Sequence, residues 1–191
     1  VNVETPRGQT VLSELIEIFD TYSMQDLKDK YLTEAKNLKC TINERLSKTI
    51  ATNMNTEIGA VFPNYVFGKA TNTKAKSIYD VKADKKVIVF WASTCSHCET
   101  DLPKIIEKYN AIKGQKSEVI AFSLDSDKTA YENKVKMLPW INDSELKGWN
   151  SSFTETYNIQ ATPTYFILDS TNKIIAKPNH AADVISYLKL N

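Results

Sequence analysis

Apolar residues recur at helical spacing through the first sixty residues of the chain. Spacings of three and four residues place each set on one face of a helix. A capping-box pattern, Thr41 with Glu44, precedes the last set, and Gly59 stands where a helix is expected to stop. The three sets are Leu12, Leu15, Ile16 and Phe19; Leu27, Tyr31, Ala35 and Leu38; and Ile42, Leu46, Ile50, Met54 and Ile58. We therefore predict a helical extension of two or three helices over residues 1–58.

From Phe62 the pattern changes to short apolar runs that are typical of strands. Residues 62–67 and 77–83 are strand candidates, and the β-branched and aromatic run at 86–93 is typical of a central strand. The next predicted element is a helix that starts at Cys95 and ends near Gly114, with its apolar stripe from residue 102 onward. The elements predicted after it are a strand at 118–125, a helix at 128–138, a mixed segment at 145–159, two strands within 164–178 joined by a turn at 170–172, and a helix at 181–190. This change of pattern predicts a second domain over residues 59–191.

Charge and hydropathy exclude two classes of function. Residues 1–60 carry 7 Lys or Arg against 9 Asp or Glu, and residues 61–191 carry 17 against 14, so neither part has the basic surface that nucleic-acid binding needs. The longest apolar run, residues 87–92, is far shorter than the roughly 20 residues of a membrane span. The start lacks an initiator Met and the layout of a signal peptide. We therefore expect a mature or trimmed chain, from which a lipid or membrane anchor could have been lost.

The stretch from Cys95 to Cys98 concentrates reactive side chains. A structural zinc site needs four ligands, and beyond this pair the chain offers only Cys40, His97 and His180, without a second pair at finger-like spacing. The alternative is a structural disulfide between Cys95 and Cys98, but closing so short a loop removes little conformational entropy from the unfolded chain. A redox pair explains the position better, because free N–H groups and the helix dipole at a strand-to-helix junction favour a Cys95 thiolate.

His97 lies between the two cysteines and can add positive charge there. Lowering the pKa of a thiol from about 8.5 to about 7 takes roughly 2 kcal/mol, which is the upper end of what a helix terminus supplies to an anion. We therefore expect a second contribution that stabilises the Cys95 thiolate. A protonated His97 would provide it, whereas an exposed surface histidine is the alternative. Stabilising the thiolate stabilises the reduced form. We therefore expect that a neutral residue in place of His97 lowers the reduction potential.

Three segments around the cysteine pair resemble the thioredoxin superfamily, most closely its TlpA-like thiol-disulfide oxidoreductases of the bacterial envelope, some of which serve cytochrome c maturation. The segments are VIVFWASTCSHCETDLP, GWNSSFTETYNIQATPTYFILD and NKIIAKP. The resemblance implies an α/β thioredoxin-like fold, with a central mixed sheet flanked by helices. It also implies a cis-proline loop at Thr162 and Pro163, bordering the groove where a partner's extended chain adds beside the sheet. A trans Pro163 in an ordinary turn is the alternative.

The resemblance also assigns roles to individual residues. Cys95 matches the exposed nucleophile, and Cys98 matches the resolving cysteine one turn deeper. Asp101 occupies the place of an acidic residue that helps proton transfer, with a solvated helix acid as the alternative. Trp91 matches the aromatic residue beside the site, although a core tryptophan fits the sequence equally well.

The chain departs from the family pattern at three places. Thr94 replaces a second aromatic residue before the nucleophile, which weakens inferences about partner contacts. Val89 replaces the buried acid of ordinary thioredoxins, which gives Asp101 more weight as the proton acceptor. Ser96 and His97 match neither the Gly-Pro of thioredoxin nor the Pro-His of strong bacterial oxidants. The direction of electron flow therefore stays open, and we expect the reductase direction.

The resemblance implies exchange with protein dithiols and disulfides and an upstream redox partner, in the periplasm or envelope of a bacterium. It requires no metal and no cofactor beyond a redox-active Cys95–Cys98 disulfide. One rival is a peroxiredoxin-like peroxidase, although Ala92 stands where that family has Thr. Another is a binding or chaperone-like module that works through residues 1–58. We expect Cys40 in the core of the extension, with a third redox thiol as the alternative.

Overall fold

The computed structural model describes residues 2–22 and 24–190, which form two compact units. The first unit is Val1–Asn55 and the second is Thr56–Asn191. The sequence pattern predicts the boundary after residue 58, and the structure has it slightly earlier, after Asn55. Each unit encloses buried apolar residues of its own. Among the described residues, no helix combines the length and the hydropathy that crossing a membrane requires.

The N-terminal unit consists of three helices, α1 (Pro6–Thr21), α2 (Gln25–Lys36) and α3 (Glu44–Asn55). α1 begins where the Thr5 hydroxyl accepts a 3.1 Å hydrogen bond from the Gly8 amide, with a proline at the first helical position. The buried apolar side chains among the described residues of this unit are Leu12, Ile16, Leu32, Ala35 and Leu46. The predicted helical extension is confirmed.

Two local predictions in this unit are wrong. Asn43, and not Thr41, caps α3, because its side-chain oxygen accepts a 2.8 Å hydrogen bond from the Leu46 amide. Cys40 lies half-buried between α2 and α3 and outside the apolar cluster. The side-chain amide nitrogen of Gln9 donates a hydrogen bond to the Cys40 sulfur at 3.4 Å. The Cys40 thiol therefore has a polar partner, whereas the sequence predicts that it lies in the apolar core of the extension.

The C-terminal unit is built on a five-stranded sheet with the order β3-β2-β1-β4-β5. Its strands are β1 (Lys85–Trp91), β2 (Ser117–Ser123), β3 (Ile141–Ser144), β4 (Thr164–Asp169) and β5 (Ile174–Ala176). β1, β2 and β3 are parallel, whereas β4 is antiparallel to both β1 and β5. The helices are α4 (Ser96–Gly114), α5 (Lys128–Val135), α6 (Ser152–Thr156) and α7 (Ala181–Tyr187). The predicted thioredoxin-like α/β fold is confirmed.

Both faces of β1 are buried, which explains its nearly continuous apolar sequence. Val87, Val89 and Trp91 pack on the face that also carries buried residues of α4 and α7. Ile88 and Phe90 pack on the opposite face among aromatic side chains. The alternation follows from the period of two along a strand.

Three segments differ from the sequence prediction. Residues 62–67 and 77–83 form only isolated bridges, one of them between Val66 and Ser77, and the second segment contains a 3₁₀ turn at Ile78–Asp80. β3 is absent from the sequence prediction because three of its four residues, Asn142, Asp143 and Ser144, are polar. It forms by pairing with β2, while residues 68–71 donate to its outer edge.

The topology places four chain segments at one edge of the sheet. The carboxyl ends of the parallel strands β1, β2 and β3 lie at the same edge, and β4 begins there because it runs antiparallel to β1. Ligand and reaction sites of open α/β sheets lie outside this edge. The cysteine pair follows β1 at the same edge.

Candidate active site

Cys95 is the residue that caps the amino end of α4. Its sulfur accepts a 3.1 Å hydrogen bond from the Cys98 amide, and its own amide donates to the Ala92 carbonyl at 3.2 Å. The sulfur thus takes the place of the Ser or Thr oxygen that commonly caps a helix. An N–H donor together with the positive end of the helix dipole stabilises an anion at this position. The half-buried Cys95 is therefore placed to react as a thiolate.

Cys98 lies one turn deeper and is only 1% exposed. Burial, followed by the hydrogen bond with Cys95 and the charge of that sulfur, raises the pKa of the Cys98 thiol to about 12. Cys98 is therefore a neutral thiol at physiological pH. Both cysteines carry free thiols, so the structure represents the reduced protein.

The loop before β4 closes the other side of the Cys95 sulfur. The peptide bond between Thr162 and Pro163 is cis, and the Thr162 carbonyl oxygen lies 3.2 Å from the Cys95 sulfur, whose thiol donates to it. Thr162 and Pro163 are both partly exposed. The loop thus leaves a backbone edge open next to the nucleophile.

Asp101 is a buried carboxylate with three donors, and not the solvated helix acid considered as the alternative. Its oxygens accept hydrogen bonds from the Ala181 amide at 3.0 Å, from Lys104 at 2.9 Å and from the Tyr165 hydroxyl at 3.4 Å. Burial opposes ionisation, but the Ala181 amide, Lys104 and the nearby His180 outweigh it and lower the pKa of Asp101. Asp101 is therefore ionised at neutral pH, one helical turn after Cys98.

Tyr165 is a site residue that sequence reasoning missed. Burial, followed by the negative charge of Asp101, raises the pKa of Tyr165 strongly, so the hydroxyl stays protonated and donates to Asp101. The available signal was the alternation along β4, which turns Tyr165 to the face where Cys98 is buried.

Asp125 is a second residue that was missed. Its carboxylate accepts hydrogen bonds from the amide and the hydroxyl of Ser93, at 3.0 and 2.6 Å, and from the hydroxyl of Ser123 at 2.6 Å. It thereby fixes the loop that leads from β1 to Cys95. Its position directly after the buried strand β2, at the carboxyl edge, was the signal in the sequence.

The remaining predicted residues differ in exposure. His97 is exposed on the first turn of α4, beside Cys95 in the chain. Trp91 is fully buried among the core residues, so the structure has it as a core tryptophan and gives its side chain no surface toward a partner. Within residues 2–22 and 24–190, His, Cys, Asp and Glu form no group of three that could hold a metal ion.

Comparison with known proteins places these residues among redox enzymes. A family model described as thioredoxin-like matches residues 84–174, which include both cysteines and Pro163. The thiol-disulfide oxidoreductase ResA of Bacillus cereus is 30% identical over 127 residues, which make up 63% of this chain and 69% of the relative.

Solved structures agree in fold. The thioredoxin domain of a thiol-disulfide oxidoreductase from Bacteroides vulgatus is 23% identical and aligns with a TM-score of 0.62, over 70% of this chain and 96% of that domain. A thioredoxin-like protein from Bacteroides caccae is 18% identical and aligns with a TM-score of 0.59, over 96% of this chain and 76% of that protein. At these identities the likeness concerns the fold.

Proposed function

This chain belongs to the thioredoxin-like thiol-disulfide oxidoreductases, and we propose that its Cys95–Cys98 pair reduces disulfides of protein partners. The observation that carries the proposal is the environment of the Cys95 sulfur, which lies between the Cys98 amide and the Thr162 carbonyl. One side supplies the helix terminus that favours a thiolate, and the other supplies a backbone edge to which an extended partner chain can add.

In the first step the Cys95 thiolate attacks one sulfur of the partner disulfide. A bond forms between Cys95 and that sulfur, the partner's S–S bond breaks, and the electron pair leaves on the second partner sulfur. That thiolate takes a proton from solvent. The product is a mixed disulfide between Cys95 and the partner.

In the second step Cys98 attacks the Cys95 sulfur and releases the partner. The Cys95–Cys98 bond forms, the mixed disulfide breaks, and the partner leaves with two electrons gained. In the dithiol state the hydrogen bond and the charge of Cys95 help to raise the pKa of Cys98. Both are lost once the Cys95 sulfur is in a mixed disulfide. Cys98 therefore becomes more acidic at the stage where it must react.

Asp101 keeps, in this proposal, the role of helping the proton leave Cys98. It is ionised in the dithiol state and lies one turn along the same helix. Because a carboxylate with a lowered pKa is a weak base, it holds the proton only briefly and passes it to solvent. Its side-chain neighbour Lys104 is half exposed and borders that path.

The cellular setting of the proposal comes from the family resemblance. We place the protein in the envelope or periplasm of a bacterium, where an upstream thiol-bearing partner would return electrons to the Cys95–Cys98 disulfide. The proposed reaction uses sulfur chemistry alone, so it needs neither a metal nor an organic cofactor.

The trapping experiment uses Cys98→Ser in a Cys40→Ala background. Because this variant lacks the resolving thiol, the mixed disulfide at Cys95 should persist. Incubation with disulfide-containing proteins should therefore give a covalent adduct that a reducing agent cleaves. Cys95→Ser in the same background is the matched control and should give none. Equal adduct formation by both variants, or none by Cys98→Ser with reactive disulfides, would refute the assignment.

The reduction potential tests the direction. A value near that of thioredoxin, about −270 mV, would support the proposed reduction of partners. A value near that of a strong oxidant, about −120 mV, would show that the protein oxidises dithiols. Equilibration of the full chain with glutathione of known ratio gives this value.

A further inference from the structure

Trp149 is an exposed aromatic residue at the sheet edge that carries Cys95. It lies in the loop after β3, and the carboxyl ends of β1 and β3 share one edge because the strands are parallel. Trp149 is 52% exposed, whereas Trp91 and Trp140 are fully buried. Single exposed apolar residues are common on protein surfaces, so Trp149 is of interest because of its position near the Cys95 loop and not because of its exposure alone.

Asp125 connects the Trp149 loop to the Cys95 loop. Its carboxylate accepts the amide and the hydroxyl of Ser93, two residues before Cys95. Its backbone carbonyl accepts a 3.2 Å hydrogen bond from the amide of Gly148. One buried residue thus fixes both loops, which ties the position of Trp149 to that of the nucleophile.

The Trp149 loop is held in one conformation by its own hydrogen bonds. The Trp149 carbonyl accepts from the Thr154 hydroxyl at 3.2 Å, and the Ser151 amide donates to the Gly148 carbonyl at 3.1 Å. Gly148 has φ of +57°, in the left-handed region where glycine is the least strained residue. The Ser152 amide and hydroxyl both donate to Glu145 across the loop. An ordered loop binds with less loss of entropy than a flexible one.

The strand spacing sets how far apart the ends of β1 and β3 lie. Neighbouring strands lie about 4.8 Å apart, so these two strand ends, which precede the Cys95 and Trp149 loops, are separated by roughly 10 Å. An extended chain advances about 3.3 Å per residue, so three or four residues cover that distance. The cis-proline loop leads into β4, which pairs with the other side of β1. The Trp149 loop and the cis-proline loop therefore adjoin strands on opposite sides of β1.

We propose that Trp149 binds an apolar side chain of the partner protein, three or four residues from the partner cysteine that Cys95 attacks. The inference rests on the proposed function, since it concerns the chain that forms the mixed disulfide. Tryptophan is the side chain most enriched among residues that dominate binding energy, because it buries a large rigid surface. The partner segment would thus be held at Pro163 by its backbone and at Trp149 by one side chain. Substrate choice then depends on the sequence around the reactive cysteine.

The test uses the full chain with Cys98→Ser and Cys40→Ala. Two peptides carry one cysteine activated as a disulfide with thionitrobenzoate, and they differ only at the residues three and four positions away, which are Leu in one and Ser in the other. The rate of thionitrobenzoate release measures attack by Cys95. The Leu peptide should react about tenfold faster than the Ser peptide, and Trp149→Ser should reduce this ratio to near one.

Met137→Ser is the matched control, because Met137 is another exposed apolar residue, 61% exposed after α5. The preference for the Leu peptide should survive in it. Acrylamide quenching gives a second readout: the adduct with the Leu peptide should shield Trp149 from the quencher and the adduct with the Ser peptide should not.

The outcomes separate this inference from the proposed function. If both peptides react at equal rates, or if Trp149→Ser keeps the preference, the Trp149 contact is refuted while the disulfide exchange stands. If Cys95 reacts with neither peptide nor with a small aromatic disulfide, the proposed function itself fails. Reaction of the small disulfide with Trp149→Ser at the rate of the parent chain also shows that this variant keeps the folded environment of Cys95.

Discussion

The amide of Cys98 donates a 3.1 Å hydrogen bond to the sulfur of Cys95. The environment of the pair thus favours the thiolate at Cys95 and the neutral thiol at Cys98. The donor favours negative charge on Cys95, whereas burial, followed by the hydrogen bond and the charge of Cys95, raises the pKa of Cys98. The different roles of the nucleophile and the resolving thiol therefore depend on the burial of Cys98 and on its contact with Cys95.

This coupling predicts that removing the Cys95 sulfur acidifies Cys98. In Cys95→Ala the hydrogen bond and the charge that help to raise the Cys98 pKa are absent, so burial is the one cause in this set that still raises it. The pKa of Cys98 should therefore fall below the value of about 12 that it has beside Cys95. Ultraviolet absorbance of the thiolate against pH, in a Cys40→Ala background, gives the titration. A Cys98 titration at about 12 in the Cys95→Ala variant would contradict the coupling.

Asp101 predicts an acid-sensitive contribution to stability. Its folded-state pKa lies below the unfolded value of about 3.9, so its contribution is present above that pH and is lost as pH falls through the folded pKa. Asp101→Asn should lower the free energy of unfolding by about 2 kcal/mol at pH 7, the size of a hydrogen bond to a charged group. The difference from the unmodified chain should shrink below about pH 4.

Urea unfolding at both pH values measures this difference. Glu107→Gln, an exposed carboxylate on the same helix, is the control and should change stability little at either pH. An Asp101→Asn deficit that is equal at pH 7 and pH 3 would show that Asp101 contributes through packing and not through its charge.

His97 predicts a contribution of its charge to the reduction potential. If a positively charged His97 stabilises the Cys95 thiolate, His97→Gln destabilises the reduced form and makes the potential more negative, on the order of 10–20 mV for about 0.5–1 kcal/mol. His97→Lys keeps a positive charge and should restore the potential. Glutathione equilibria that agree among all three proteins would exclude a role for the His97 charge.

Asp125 predicts that the loop before Cys95 depends on one buried carboxylate. Asp125→Ala leaves the Ser93 amide and the Ser123 hydroxyl without their acceptor, which should cost about 2–3 kcal/mol of folding free energy. It should also slow the reaction of Cys95 with a small disulfide, since the loop is no longer fixed. Asp84→Ala removes an exposed carboxylate and serves as the control. Unchanged stability and reactivity in Asp125→Ala would show that Ser93 is held by other contacts.

Local sequence signals were sufficient at the start and end of α4 and at the turn between β4 and β5, where the element depends on its own residues. The change from a β-branched run to a helical stripe placed Cys95 at the start of α4 and ended that helix at Gly114. The polar turn at 170–172 separated β4 from β5, where Asn172 adopts the left-handed conformation that asparagine tolerates. Such signals are read along the chain, so a single sequence contains them.

What depends on distant residues was decided only by the tertiary structure. β3 exists because its backbone pairs with β2 and with residue 71, although its own sequence is too polar to predict a strand. Tyr165 and Asp101 meet across 64 positions, and Asp125 reaches Ser93 across 32, so neither contact has a local signature. The sequence by itself determined which sulfur caps a helix. The packing of separate segments determined which carboxylates surround it and how each of them ionises, because burial and hydrogen bonding are properties of neighbours in space.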